Sequence, residues 1–134
     1  MHMASIRDLC SSSYSNDAIA AWSGREYRED VRINSFINDY VLVLTNDDQV
    51  MGYCHLKYNG YLDALYLSKN IVGCGYGRKM LHLCISKCID LRLGLVTLDS
   101  TLNAQGFYSK HGFVNKGDRK SVIINGHNIY CQYM

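Results

Sequence analysis

The sequence predicts an α/β protein with a mixed sheet. Three observations carry that reading. Apolar residues recur at helical spacing through the first third. Three β-branched and aromatic segments follow, separated by turn signals. A glycine-rich turn then opens an amphipathic helix that leads into a further short apolar strand.

The elements follow in order. Ile6, Leu9 and Cys10 fall on one face of a first helix, and Ser15 or Asn16 caps a second through Ala18, Ile19 and Trp22. Val31, Ile33, Phe36 and Ile37 indicate a third helical piece. The period then changes. Residues 40–45 form an apolar β-branched run stopped by Asn46-Asp47-Asp48, residues 50–57 a second strand, and residues 61–67 a third after the hairpin signal Asn59-Gly60. These three are expected to make an antiparallel meander.

A helix over about residues 76–89 comes next, with Gly77, Leu81, Cys84, Ile85, Cys88 and Ile89 at helical spacing. A strand over 95–98 follows it, so strand, helix and strand read as a crossover with parallel pairing. A short helix over about 102–110 ends at His111-Gly112. Residues 113–124, the turn Asn125-Gly126 and residues 127–133 complete a final hairpin.

With 134 residues the chain is expected to form one domain over 4–134, residues 1–3 being set aside as a cloning remnant. A chain of this length buries roughly two-thirds of its unfolded surface. No apolar run approaches the roughly 20 residues of a membrane helix, and the opening segment lacks a secretory signal core. A cytoplasmic setting is the expectation. The net charge of +2, with Lys and Arg scattered, is too weak for a nucleic-acid surface. Neither nucleic acid nor membrane is therefore expected as a partner.

None of the six cysteines forms paired C-x-x-C knuckles. Cys84 and Cys88 lie one helical turn apart and could face a metal, but they also lie on the apolar stripe of their helix. Cysteine there behaves as a small hydrophobe, so core is favoured and no metal is expected.

The chemistry concentrates at Val72-Gly73-Cys74-Gly75-Tyr76-Gly77. The first amides of a helix lack internal partners and carry partial positive charge, so they bind anions. Glycine lets the backbone approach a phosphate closely, and Arg78 and Lys79 add cationic donors. A tight strand-to-helix turn would use the same glycines without binding anything. A P-loop would need Gly-Lys-Ser/Thr where Gly77 is followed by Arg78-Lys79-Met80, and a dinucleotide fingerprint would need G-x-G-x-x-G.

The order of elements and two local motifs resemble the GNAT superfamily of N-acetyltransferases. Its cofactor motif, Gln/Arg-x-x-Gly-x-Gly/Ala after a strand, is similar to Val72-x-x-Gly75-x-Gly77. Its second motif is similar to Ala104-Gln105-Gly106-Phe107-Tyr108-Ser109-Lys110-His111-Gly112-Phe113. The match covers residues 40 to the C-terminus, and residues 6–22 resemble the small bacterial members. Val72 departs from the usual Gln or Arg, Thr101 from a common Asn that Asn103 could replace, and Lys69 from a common Pro.

The resemblance implies a mostly antiparallel sheet flanked by helices. It also implies a first strand before the first helix, for which this sequence has no residues, so the fold is expected to lack it. That would leave residues 40–45, apolar on both faces, near an exposed edge, and a homodimer through that edge, or another device covering it, is expected.

The resemblance further implies acetyl-CoA as co-substrate, an amine as acceptor and no metal. Pantetheine would lie along Leu65, Tyr66 and Leu67, and the pyrophosphate would sit on Val72, Gly73, Cys74, Gly75, Tyr76, Gly77, Arg78 and Lys79. Thr101, Asn103, Phe107, Tyr108 and Lys110 would contribute from the second motif. The amine would attack the thioester directly. Tyr108 matches the family's acid, and a phenol of ordinary pKa about 10 can donate to a departing thiolate. Two residues compete as base. Asp63 shares a strand face with Leu65 and Leu67 if that strand is regular, and His55 is its rival on the neighbouring strand. Asp99 is a third candidate, and His111 serves a helix end. A non-catalytic acyl-CoA-binding or regulatory module, or a plain interaction domain, would use the same fold.

Overall fold

The computed structural model describes residues 2–24 and 29–134. Its elements, in chain order, are α1 (His2–Leu9), α2 (Asn16–Ser23), α3 (Glu29–Asn38), β1 (Tyr40–Asn46), β2 (Gln49–Leu56), β3 (Tyr61–Leu67), α4 (Tyr76–Asp90), β4 (Thr97–Thr101), α5 (Gln105–Lys110), β5 (Lys120–Ile124) and β6 (His127–Tyr133). The class is α/β, as expected, and the chain enters on helices. Of the segment set aside, Met1 lies outside the described residues, while α1 takes in His2 and Met3. Among the described residues no helix is long and apolar enough to cross a membrane.

The chain divides into two compact units, one over 29–97 and the other over 2–24 with 98–134. In the first, β1, β2 and β3 form the expected antiparallel meander. Asp47 and Asp48 both adopt positive φ, 49° and 62°. Two such residues make the tight hairpin loop whose twist matches the strands it joins.

The registers sort the side chains of this meander. Leu42, Cys54 and Leu65 stand opposite one another across the three strands. They share the α4 side, where Cys84 Sγ lies 3.0 Å from Cys54 Sγ. That contact and burial push the Cys84 thiol above its ordinary range, so it packs as a neutral apolar group. Met80, Leu81, Cys84 and Cys88 are the buried side chains of α4. Ile89, expected on the same stripe, is 68% exposed instead.

The opposite side of the sheet carries Tyr53, His55 and Tyr66. The Phe36 ring of α3 meets Tyr53 at 6.2 Å and His55 at 5.0 Å, and Tyr53 meets Tyr66 at 5.6 Å. Of the apolar residues that marked α3 in the sequence, only Phe36 turns inward; Val31, Ile33 and Ile37 are exposed.

The crossover returns beside the start of β3. The Thr97 amide donates to the Gly60 carbonyl at 3.0 Å, which brings the start of the incoming strand level with the start of β3. Gly60 is required twice over. Its φ is +91°, and a Cβ there would stand 2.3 Å from the Leu95 carbonyl oxygen. The strand itself is β4 at Thr97–Thr101, two residues later than the alternation suggested.

In the second unit β6 pairs antiparallel with both β4 and β5. The strand expected over 113–124 begins only at Lys120. Gly117, at φ +69°, breaks the extended chain, and the segment is held instead by hydrogen bonds from the Lys116 amide to the Tyr133 carbonyl and from Gln132 Nε2 to the Gly117 carbonyl. Asn125 and Gly126, φ 49° and 80°, form the expected turn.

Of the two residues that could cap α2, Ser15 does so, its hydroxyl accepting from the Ala18 amide at 3.2 Å. Ile6, Cys10, Ala18 and Trp22 are buried. Tyr14 ties this helical pair to the C-terminal hairpin. Its ring meets the Trp22 ring edge-on at 5.5 Å, its hydroxyl donates to the Tyr130 carbonyl at 2.6 Å and it accepts from the Leu102 amide at 2.9 Å.

Burial, only partly offset by the Leu102 amide, pushes the Tyr14 phenol up from 10.0 to about 12. A folded-state pKa above the unfolded one contributes stability that is present below pH 10 and lost as pH rises through 12. Urea melts should therefore show the wild type losing stability across pH 10 to 12. Tyr14→Phe, less stable at pH 8, should lose less over the same window. Parallel losses in the two proteins would refute this role for the hydroxyl.

Candidate functional site

The glycine turn sits where the sequence places it. β3 ends at Leu67, a single 3₁₀ turn covers Lys69–Ile71, and α4 starts at Tyr76. Gly73 and Gly75 both have positive φ, +83° and +87°, and Gly75 is the residue that opens α4. The first bond of the helix runs from the Lys79 amide to the Gly75 carbonyl, so the amides of Tyr76, Gly77 and Arg78 have no acceptor within the helix.

A Cβ at Gly73 or Gly75 would meet no atom within 4 Å. These two glycines serve backbone conformation, and the surface of the turn is open. Gly77 is buried in the first turn of α4. Val72, Cys74 and Tyr76 are exposed. The charged residues of 68–79 are Lys69, Arg78 and Lys79, all cationic and all exposed, and Lys79 Nζ lies 5.7 Å from the Tyr76 ring centre. Helix polarity and side-chain charge therefore favour an anion at the same place.

The β2–β3 ladder holds the second group of residues. His55 pairs with Ala64 and Leu56 with Leu62, which leaves Asp63 as an extra residue in a bulge. A bulge breaks the alternation of side chains. Asp63 therefore leaves the face of Leu65 and Leu67, where a regular strand would put it, and reaches His55. Its Oδ2 lies 3.3 Å from His55 Nδ1 and its Oδ1 3.7 Å from Lys57 Nζ.

His55 is 2% exposed, and its other ring nitrogen, Nε2, lies 2.8 Å from Asp39 Oδ2. The Ser35 hydroxyl donates to the same Asp39 oxygen at 3.3 Å and lies 3.4 Å from Nε2. The two rival bases of the sequence reading are thus joined to each other, with Asp63 at the exposed end. Asp39 and Ser35 were missed. Their only sequence signal is an acid at a helix-to-strand junction two residues before Val41, the register partner of His55.

The second motif lies in the other unit. Thr101 closes β4, and its carbonyl accepts from the Ala104 amide. Asn103 and Lys110 are exposed, and Phe107 is half-buried. Tyr108 is buried on α5, its ring edge-on to Phe107 at 5.1 Å and to Phe113 at 5.6 Å. The His111 amide donates to the Tyr108 carbonyl at the end of α5, and its ring meets Phe107 at 4.8 Å. Asp99, the third candidate base, is bound by Lys120 Nζ at 2.7 Å. Among the described residues no group of three or more His, Cys, Asp or Glu could hold a metal ion.

Comparison with known proteins gives consistent results. A profile of the acetyltransferase (GNAT) domain matches residues 10–123. The peptidyl-lysine N-acetyltransferase YjaB of Escherichia coli K12 is 31% identical over 101 residues, which is 72% of this chain and 67% of that protein. The crystal structure of a GCN5-related N-acetyltransferase from Rhodopseudomonas palustris superposes with a TM-score of 0.83 at 27% identity, covering 98% of this chain and 82% of the other. The PaiA N-acetyltransferase of Thermoplasma acidophilum, solved in complex with coenzyme A, gives 0.69 at 19% identity over 97% and 86% of the two chains.

The glycine geometry makes a stability prediction. Gly75→Ala should cost about 1–2 kcal/mol, because a side chain must adopt the left-handed conformation. Gly106→Ala in α5, with no positive φ and no atom within 4 Å of the new Cβ, should be neutral or stabilising by up to about 1 kcal/mol. Urea denaturation of the two variants checks the opposite signs.

Proposed function

As the chain belongs to the acetyltransferase (GNAT) domain family and is an acetyltransferase, we propose that it moves the acetyl group of acetyl-CoA to a primary amine by direct attack in a ternary complex. The observation that carries this reading is the open, cationic glycine turn, whose first helix amides have no acceptor within the helix and so favour an anion such as a pyrophosphate. With Val72 in the position of the family's Gln or Arg, the main-chain amides of Gly73 and of Gly75 to Arg78, with the Arg78 and Lys79 side chains, take the whole of that contact, the Cys74 amide being held by the Ile71 carbonyl. Leu65–Leu67 carries the pantetheine, and Thr101, Asn103, Phe107 and Lys110 complete the cofactor site from the second motif. That the structurally similar PaiA binds coenzyme A supports acetyl-CoA as the co-substrate.

In the proposed reaction the amine nitrogen attacks the thioester carbonyl carbon, a C–N bond forms and the C–S bond breaks. The amine proton passes to Asp63, and the departing thiolate takes a proton from Tyr108. Asp63 is preferred to His55 as the group that meets the amine, because its side chain is 41% exposed and that of His55 is 3%. An alkylamine has an ordinary pKa near 10.4 and is mostly charged at neutral pH. A carboxylate suits both its binding as ammonium and its deprotonation. The relative that acts on peptidyl-lysine makes the lysine ε-amine the first acceptor to try.

We also propose a homodimer through the outer edge of β1, where Val43 is exposed; light scattering at micromolar concentration should then give twice the chain mass, and a strictly monomeric mass would remove it.

Titration calorimetry should show acetyl-CoA binding, with Arg78→Ala/Lys79→Ala weakening it at least tenfold. Thiol release with a panel of alkylamines and lysine peptides should show turnover. Tyr108→Phe should lower kcat by about 10²-fold, the usual contribution of a general acid, while leaving acetyl-CoA affinity within about twofold. Absence of binding heat would refute the cofactor assignment, and unchanged turnover in Tyr108→Phe would remove it from the acid role.

A further inference from the structure

The buried histidine at the back of Asp63 has more partners than packing requires. His55 sits on β2 with Phe36 edge-on to its ring at 5.0 Å and 82°. A buried imidazole needs its polar atoms satisfied, and uncharged acceptors would do this at lower cost, since desolvating a carboxylate is expensive. Here each ring nitrogen meets a carboxylate from a different segment. Asp39, at the junction of α3 and β1, takes Nε2 at 2.8 Å, and Asp63, in the β3 bulge, takes Nδ1 at 3.3 Å.

The two ends differ. The Asp39 contact is the shorter, its side chain is 16% exposed against 41% for Asp63, and the Ser35 hydroxyl donates to the Asp39 oxygen that meets the ring. Asp39 is the fixed end and Asp63 the open one. Among the described residues the charged groups in contact with this row are Asp39, Asp63 and Lys57, which lies 3.7 Å from the second Asp63 oxygen, and Tyr53 lies on the same face across the Phe36 ring.

We propose that Asp39 is a positioning residue for acetyl transfer: by fixing His55 at Nε2 it holds Nδ1 toward Asp63, and so sets the Asp63 carboxylate to receive the proton of the incoming amine. The proposal rests on the reading of Asp63 as the group that meets the amine. A proton arriving on Asp63 Oδ2 lies on the line to His55 Nδ1, and an imidazole charged there is balanced at its far nitrogen by Asp39. This is the arrangement by which a carboxylate behind a histidine orients the ring and stabilises its charged form. The bulge has a purpose in this scheme, because without it Asp63 would project from the other face of β3.

The test is amine-dependent thiol release from acetyl-CoA, using the best alkylamine or lysine peptide of the panel. Asp39→Asn, Asp39→Glu, Asp63→Asn and the double variant Asp39→Asn/Asp63→Asn are measured from pH 5.5 to 9.5, with acetyl-CoA affinity and urea stability alongside. Asp39→Asn should lower kcat/KM for the amine by about 10–100-fold, displace its acid limb along the pH axis, and leave acetyl-CoA affinity within twofold. Asp39→Glu should recover part of the loss. The double variant should be no slower than Asp63→Asn alone, because the two residues act as one unit.

An Asp39→Asn profile that overlays the wild type, or a double variant whose losses multiply, would overturn the proposal while leaving the transferase reading intact. Wild-type acetyl-CoA binding without turnover on any amine would overturn the reading of Asp63 and the positioning role with it.

Discussion

Strand β2 has three consecutive residues, Cys54, His55 and Leu56, that are all buried. A strand points successive side chains to opposite faces, so this run requires cover on both sides. Cys54 and Leu56 are buried toward α4, and His55 toward α3. An apolar residue could fill the second position without further demands. A histidine cannot, because its ring nitrogens must be paired once water is excluded. Burying His55 therefore calls for Asp39 at the end of α3 and for the extra residue in β3 that brings Asp63 within reach. The helix junction, the bulge and the exposed carboxylate follow from one buried ring.

The other face of the same strand supports the anion site. Cys84 against Cys54, with Leu81 and Cys88, holds the middle of α4 to the sheet, and Gly77 is the buried residue of that helix's first turn. Anchored in this way, the helix presents its first amides at a fixed place beside Lys69, Arg78 and Lys79. A terminus that frayed would spread the same dipoles over many orientations. The rigidity of α4 and the chemistry of its terminus are thus two results of the same packing.

What the sequence revealed follows from the range of the interactions involved. The glycine turn, α4 and the three Asx-containing hairpins were legible because backbone conformation at Gly75, Asp47, Asn59 and Asn125 is decided by a few neighbouring residues. Asp39 was not legible, because its role depends on the register that sets Val41 opposite His55 and on a bulge that no local pattern announces. For the same reason Asp63 seemed to belong with Leu65 and Leu67. The apolar residues of α3 and residues 113–119 misled in the opposite direction. Ile37 and Val114 have the character of buried residues and are exposed, and Gly117 ends an alternation that would otherwise read as a strand.

The Tyr14 hydroxyl reaches the Tyr130 carbonyl across 116 positions of chain, and the unit it joins is assembled from residues 2–24 and 98–134. During synthesis from the N-terminus, the first two helices leave the ribosome long before β6 exists, with Ile6, Cys10 and Trp22 still without their final neighbours. Residues 29–97 form a continuous stretch and can fold as they emerge. Residues 2–24 are therefore made well before the partners they pack against, and during that interval they offer apolar surface to chaperones.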